Sequence, residues 1–491
     1  MNRIKTKFLW VFLLLVLVIV LAGQDWHANH DTSRNSISYN TALAAPSEGT
    51  IINLPFVLNS FPMNTVFGVQ MATWSPSKGM DLVIDAKTSY VRQHALRWSD
   101  IEVNQGERNW TAMADMEQAL IQATNAGIKT VLIVHGTPTW AQVTDGICSR
   151  IQVDKIPAFA AFLYDAVSRY SKPPYNIEYW EIWNEPDVAF TYDLANAPYG
   201  CWGDDNDKYY GGGYFAEVLK VVYPMIKAAN PNAKVIVGGL LLDCDPRGET
   251  SYCDKVNHNE RPPKYLEGIL VAGGGNYFDG VSYHAYDYFS PEIQMGHYQN
   301  SNWGAAWNTT GPVSSLKAQF LREVLSKYGF SNKFLINTEA AVVCLYETGC
   351  EADSTSAYEQ TKASYVAQTY SEAIKDQLVA NIWYSLLGWR NSELLNSDLT
   401  PRPAFIAYQV GRAELRNAIF KQVVTAYPGV EIYEFQRGQK TIWLAWSLDG
   451  NNHTITLPSL PDSIQSFLGE TITPSQQIEV TLRPVYIDWL P

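Results

Sequence analysis

From about residue 65 to about 415 the apolar positions switch repeatedly between two spacings, a short continuous run and a stripe recurring every three to four residues. TVFGVQMAT is apolar and β-branched, and MDLVIDAKTSYV after it has helical spacing. HALRW predicts the second strand, followed by a helix over TAMADMEQALIQATNAG that ends on Gly127. IKTVLIVHG and IEYWEIW predict strands three and four, separated by the amphipathic stretch DKIPAFAAFLYDAVSRY. The alternation continues through AKVIVGGLLL, FDGVSYHAY, KFLINTEA and VANIWYSLLGW, each followed by a helical stretch. Eight such units predict an α/β fold, the (β/α)8 TIM barrel. A doubly wound sheet would want a Gly-rich phosphate turn after its first strand, and none stands there.

The pattern changes at both ends. After about residue 417 it becomes short strands with turns: GVEIYEFQ, KTIWLAWS, HTITLP and IEVTLRPVYI, with Asp449-Gly450 as a hairpin signal. This predicts a small all-β, sandwich-like accessory domain at 417–491, behind a barrel at 51–416. At the other end a basic start, MNRIKTK, precedes an apolar run over 8–23. Residues 1–23 therefore read as a signal peptide or an N-terminal membrane anchor, and 24–50 as a patternless linker. Either reading places the body outside the cytoplasm, secreted or anchored at the cell surface.

Composition narrows the function classes. A hydrophobic fraction of 46% with 17% charged residues is that of a globular chain with a sizeable core. A net charge of −13 argues against nucleic acid and polyanionic substrates as partners. The 16 Trp and 29 Tyr offer flat rings of the kind that stack on sugar faces. An even six cysteines suit disulfides. Proximity suggests Cys244–Cys253 and Cys344–Cys350, leaving Cys148 with Cys201, although six cysteines admit fifteen pairings.

Candidate chemistry falls at the carboxyl ends of the predicted strands, where barrel enzymes place it. Strand two ends in Arg97-Trp98, strand three in His135, strand four in Asn184-Glu185, and strand seven carries Glu339. Strand six ends in His284-Ala285-Tyr286, whose two polar side chains share a face. Two carboxyl groups converging across a barrel mouth suit acetal hydrolysis by double displacement, which needs them about 5–5.5 Å apart. Glu339 is the candidate nucleophile, held ionised by Arg97 and Tyr286, and Glu185 the candidate general acid and then base. Glu185 stands among large aromatics, where a carboxyl group is costly to ionise. Asn184 suits a substrate hydroxyl, and Trp98, Trp140 and Trp202 are candidate stacking rings. No cofactor or metal is called for, since His-Glu-x-x-His, G-x-S-x-G and P-loop signatures are all missing.

WNEP at strand four, H-x-Y at strand six and the TE strand end at strand seven resemble the retaining glycoside hydrolases of clan A. LRW at strand two, TPTWA after strand three and the trailing all-β segment are most similar to glycoside hydrolase family 39. The resemblance implies Glu185 as acid/base, Glu339 as nucleophile and Asn184 on the 2-hydroxyl of the sugar. It adds Arg97, His135, His284 and Tyr286 as lining residues. The clan's strand-eight platform would be Trp383 or Trp389, of which Trp389 is nearer the loop. The expected partner is an oligo- or polysaccharide, neutral or weakly charged. A non-catalytic sugar-binding barrel and a transglycosylase using the same carboxylates are the alternatives.

Overall fold

The computed structural model describes residues 66–93, 96–189, 200–247, 253, 263–292, 294–345 and 350–490. The expected leader, the linker and the first residues of the barrel segment lie outside them. Among the described residues no helix is long and apolar enough to cross a membrane. This corrects the expectation of a body anchored at the cell surface by an apolar helix; residues 8–23, on which that expectation rested, lie outside the described residues.

Eight parallel strands close into a barrel: β1 (Phe67–Gln70), β2 (Tyr90–Arg92), β3 (Lys129–His135), β4 (Tyr179–Ile182), β5 (Lys234–Leu240), β6 (Gly280–Phe289), β7 (Phe334–Cys344) and β8 (Asn381–Trp383). Each pairs with its neighbours in chain order, and β8 returns to β1 through Phe67↔Asn381. Their near-continuous apolar runs are what a parallel sheet covered on both faces requires. Helices such as Ile156–Tyr170, Gly212–Ala229 and Ala357–Lys375 surround it.

Strand two differs from expectation. The helical spacing of 80–91 predicts one helix, but the helix stops at Asp85 and Lys87 turns left-handed at φ 55°. The chain then enters the barrel at Tyr90–Arg92, between β1 and β3. HALRW contributes only Leu96–Arg97, laid against the end of β3 with Leu96 opposite Val134 and Arg97 opposite His135. The β-branched Val91 and aromatic Tyr90 fit the buried barrel wall better than a helix flank.

After the barrel come β9 (Ile419–Val423), β10 (Val430–Arg437), β11 (Lys440–Ser447), β12 (His453–Thr456), β13 (Ser463–Ser466), β14 (Thr471–Ile472), β15 (Gln477–Val480) and β16 (Val485–Trp489). Six form an antiparallel sheet in the order β9-β10-β11-β16-β13-β14, and β12 pairs with β15. Alternation along β11 serves two cores. Trp443 and Ala445 pack with Ile455 and Val480, while Leu444 and Trp446 join the core of the barrel.

Three disulfides join Cys148 to Cys201, Cys244 to Cys253 and Cys344 to Cys350. All lie at or beyond the carboxyl ends of barrel strands. Closing the 53-residue loop between Cys148 and Cys201 removes about 4 kcal/mol of chain entropy from the unfolded state.

Candidate active site

β4 ends in a corner fixed from both sides. Trp183 and Glu185 both take left-handed backbone conformations, at φ 77° and 50°, which cost roughly 1–2 kcal/mol each in non-glycine residues. Hydrogen bonds hold the corner: Trp183 N–H donates to Val134 O on β3 at 2.8 Å, and Glu185 N–H to Gly239 O on β5 at 3.0 Å. Gly200 adds two more, donating to Asn184 O at 3.0 Å and accepting from Trp183 Nε1 at 3.1 Å. Close approach demands glycine on β5. A Cβ on Gly238 would stand 2.1 Å from Trp183 O, and one on Gly239 2.1 Å from His284 Nε2.

Glu339 is aimed by a bulge. β7 pairs Asn337 with Tyr283 and then Glu339 with His284, so Thr338 is an extra residue in the ladder. Such a bulge turns the next side chain relative to the regular pleat. It brings Glu339 toward His284 and Tyr286 on β6. Tyr286 Oη donates to Glu339 Oε2. His284 Nδ1 is 2.8 Å from Glu185 Oε1 and 3.5 Å from Glu339 Oε2. One polar atom from each of these three side chains lies within 4.8 Å of the other two. Glu185 and Glu339 are 9% and 7% exposed, nearly but not wholly closed off from solvent.

The cation beside Glu339 is Arg92, not Arg97. Arg92 is completely buried and spreads its guanidinium over four acceptors. Nε donates to Glu181 at 2.7 Å, one terminal nitrogen to Gln70 at 3.0 Å and to Glu339, and the other to Asn184 Oδ1 at 2.6 Å. Because only the amide oxygen can accept, Asn184 is left with its NH2 as the group that can donate further. Arg97 lies half-buried in register with His135 and does not take the expected place. The error follows from strand two, since Arg92 fell at the edge of a predicted helix.

Burial dominates the electrostatics. It pushes the Glu185 carboxyl up to about 7, against Arg92 and Lys317, which pull it down, and with Glu181, which adds to the rise. It drives His284 down to about 4, so the imidazole is neutral near pH 7. Glu185 Oε1 and His284 Nδ1 are 2.8 Å apart, so the protonated carboxyl can donate to the neutral ring. His135 is likewise neutral, lowered to about 3 by burial and by Arg97 and Arg92. Glu185, His284 and Glu339 also have the donor types and spacing to grip a divalent cation; the Arg92 guanidinium against Glu339 opposes one electrostatically.

The aromatic expectations divide. Trp98 is 0% exposed, donates from Nε1 to Glu102 at 3.0 Å and packs on Trp140, Phe159 and Phe162. It is core, and the expectation that it binds substrate is corrected. Trp202 and Trp383 are buried as well, and half-buried Trp140 packs its ring on Trp98. Trp389 is 39% exposed, with its ring centroid 5.2 Å from Tyr286 and 5.3 Å from Tyr384. Trp98→Ala is therefore expected to lower stability by about 3–5 kcal/mol, as read by denaturant unfolding. Trp389→Ala should leave stability within about 0.5 kcal/mol and raise KM roughly tenfold, equivalent to about 1.4 kcal/mol of sugar contact. An unchanged KM would remove Trp389 from the site.

Sequence reasoning missed Arg92, Glu181, Gln70 and Lys317. Glu181 had a visible signal, an acid inside the aromatic strand YWEIW, where only a paired carboxylate is tolerated.

The comparisons with known proteins agree with this geometry. A family model described as cellulase, glycosyl hydrolase family 5, matches residues 53–372. Among solved structures, a family 39 glycoside hydrolase from Bacteroides cellulosilyticus WH2 aligns over 87% of this chain and 81% of its own, at 19% identity and a TM-score of 0.63. A family 30 endoxylanase from Clostridium papyrosolvens C71 aligns over 87% and 97%, at 12% identity and a TM-score of 0.54. A glucosidase from Croceicoccus marinus aligns over 87% and 96%, at 12% identity and 0.53. At these identities the structural likenesses speak to the fold. No curated protein matches the sequence. With the family model spanning most of the barrel, the chain belongs to the cellulase family, glycosyl hydrolase family 5, and is a glycosidase of the clan A type that the strand-end residues resembled.

Proposed function

We propose that this glycosidase cleaves the O-glycosidic bonds of a neutral or weakly charged glycan by double displacement, with Glu339 as nucleophile and Glu185 as acid and then base. The observation that carries these roles is the spacing of Glu185, His284 and Glu339, each offering an atom within 4.8 Å of the others. That close approach favours direct attack on the sugar, for which the two carboxyl groups stand about 5–5.5 Å apart, over attack through water, for which they stand about 6.5–9.5 Å apart. In the first step the Glu339 carboxylate forms a bond to the anomeric carbon while the Glu185 proton passes to the departing oxygen. In the second, the Glu185 carboxylate takes a proton from water, whose oxygen attacks the same carbon and breaks the ester to Glu339. Both groups return to their starting states.

The surrounding residues serve these steps. Arg92 and Tyr286 donate to Glu339, which orients the carboxylate and matches its charge. The neutral His284 ring, 2.8 Å away, accepts from protonated Glu185 and holds the acid in place. Trp389, with Tyr286 and Tyr384 beside it, offers the exposed ring for a sugar face. Related proteins carry the descriptions cellulase and endoxylanase, so β-1,4-glucans and xylans head the substrate panel. Release of new reducing ends from one glycan class by the wild type is expected. No turnover of any glycan or aryl glycoside would overturn the reading and favour a sugar-binding barrel.

A further inference from the structure

Below the two carboxylates at the mouth sits a third, Glu181, in the middle of β4 and completely buried. A buried carboxylate is costly unless every lone pair is met, and this one is met from four other strands. Oε2 accepts from Arg92 Nε at 2.7 Å. Oε1 accepts from Gly239 N–H at 3.1 Å, Ser282 Oγ at 2.6 Å and Thr338 Oγ1 at 2.8 Å. Burial alone would raise this carboxyl, but Arg92 and its other partners hold it below the ordinary value, so it is charged.

Each partner leads to a reacting group. Arg92 also donates to Glu339 and Asn184, and Thr338 is the bulge residue immediately before Glu339. Gly239 gives its N–H to Glu181 and its carbonyl to the N–H of Glu185. We propose that Glu181 is a positioning residue that sets both carboxylates of the double displacement at once, Glu339 through Arg92 and Thr338, and Glu185 through Gly239. This rests on the roles proposed above for Glu185 and Glu339. Its charge has a further effect. The titratable and charged groups acting on Glu185 are Glu181, Arg92, Lys317, Asp187, His284, Glu339, Tyr286, Tyr288 and Tyr384. Among them Glu181 is a charged carboxylate that favours the protonated acid, opposing Arg92 and Lys317.

The test compares Glu181→Gln and Glu181→Asp with wild type, by kcat, KM and the pH profile of kcat/KM. In Glu181→Gln either amide orientation sets a donor against a donor, Arg92 Nε–H or Gly239 N–H. Expected is a loss of kcat of about 100-fold with KM within about threefold. The basic limb should also move to lower pH by about one unit, because a negative neighbour of Glu185 is gone. Glu181→Asp keeps the charge but not the reach, so kcat should fall while the basic limb stays at its wild-type position. A basic limb and kcat unchanged in Glu181→Gln would overturn the inference, and so would a variant that loses only thermal stability. Should Glu181→Gln not fold, wild-type kcat in Glu181→Asp would overturn it equally. Absence of turnover by the wild type overturns the glycosidase roles and this inference with them; normal wild-type turnover beside an unaffected Glu181→Gln overturns this inference alone.

Discussion

Glu339→Ala is expected to lower kcat/KM on an aryl glycoside by on the order of 10⁵-fold, about 7 kcal/mol of transition-state stabilisation. The substitution removes the atom that bonds to the anomeric carbon and leaves Arg92 and Tyr286 without their shared acceptor. It also opens a space where the carboxylate stood, next to a buried guanidinium that attracts anions. Azide added to the variant should enter that space and attack from the face Glu339 used. The product is then a glycosyl azide of inverted configuration, formed without an ester to the protein. A variant that keeps activity, or one rescued to a product of retained configuration, would remove Glu339 from the nucleophile's role.

The second large effect is expected from Glu185→Gln, and it depends on the leaving group. A sugar alkoxide departs poorly without a proton, so kcat/KM on a natural oligosaccharide should fall by about 10³–10⁴-fold. An activated phenol leaves without protonation, and its first step should be nearly untouched. The pH profile carries the sign. Glu185 is raised to about 7 chiefly by burial, so the acid form is present below that pH and is lost above it. Wild-type kcat/KM should therefore fall on the alkaline side with a midpoint near 7, and Glu185→Gln should lack that limb. Equal losses on both leaving groups would point to a structural defect instead of lost proton transfer.

Much of this site was legible because barrel chemistry gathers at strand ends. Asn184-Glu185-Pro186 advertised itself through Pro186, which stops the strand, and Glu339 through its place at the end of a buried apolar run. His284 and Tyr286 followed from the two-residue period of β6. What failed did so for local reasons. Strand two was displaced because the apolar positions of 80–91 satisfy helical spacing while the left-handed turn at Lys87 ends the helix. That shift exchanged Arg97 for Arg92 as the partner of Glu339. Periodicity also carries no depth: Trp98, Trp202 and Trp389 look equivalent as letters, but only tertiary packing decides that the first two are sealed in and the third meets solvent. Glu181 showed as an acid inside an aromatic strand, but its role did not, because its partners come from four other strands and none of those pairings leaves a mark in a single sequence.

The most direct test of the two-carboxylate account is the anomeric configuration of the first product, followed by proton NMR before mutarotation. Double displacement inverts the anomeric carbon twice, so the account predicts a hydrolysis product with the configuration of the substrate. A product of opposite configuration would mean that water attacks the sugar directly, and Glu339 would then be a base acting through water, contradicting the assignment of Glu339 as the group that bonds to the sugar.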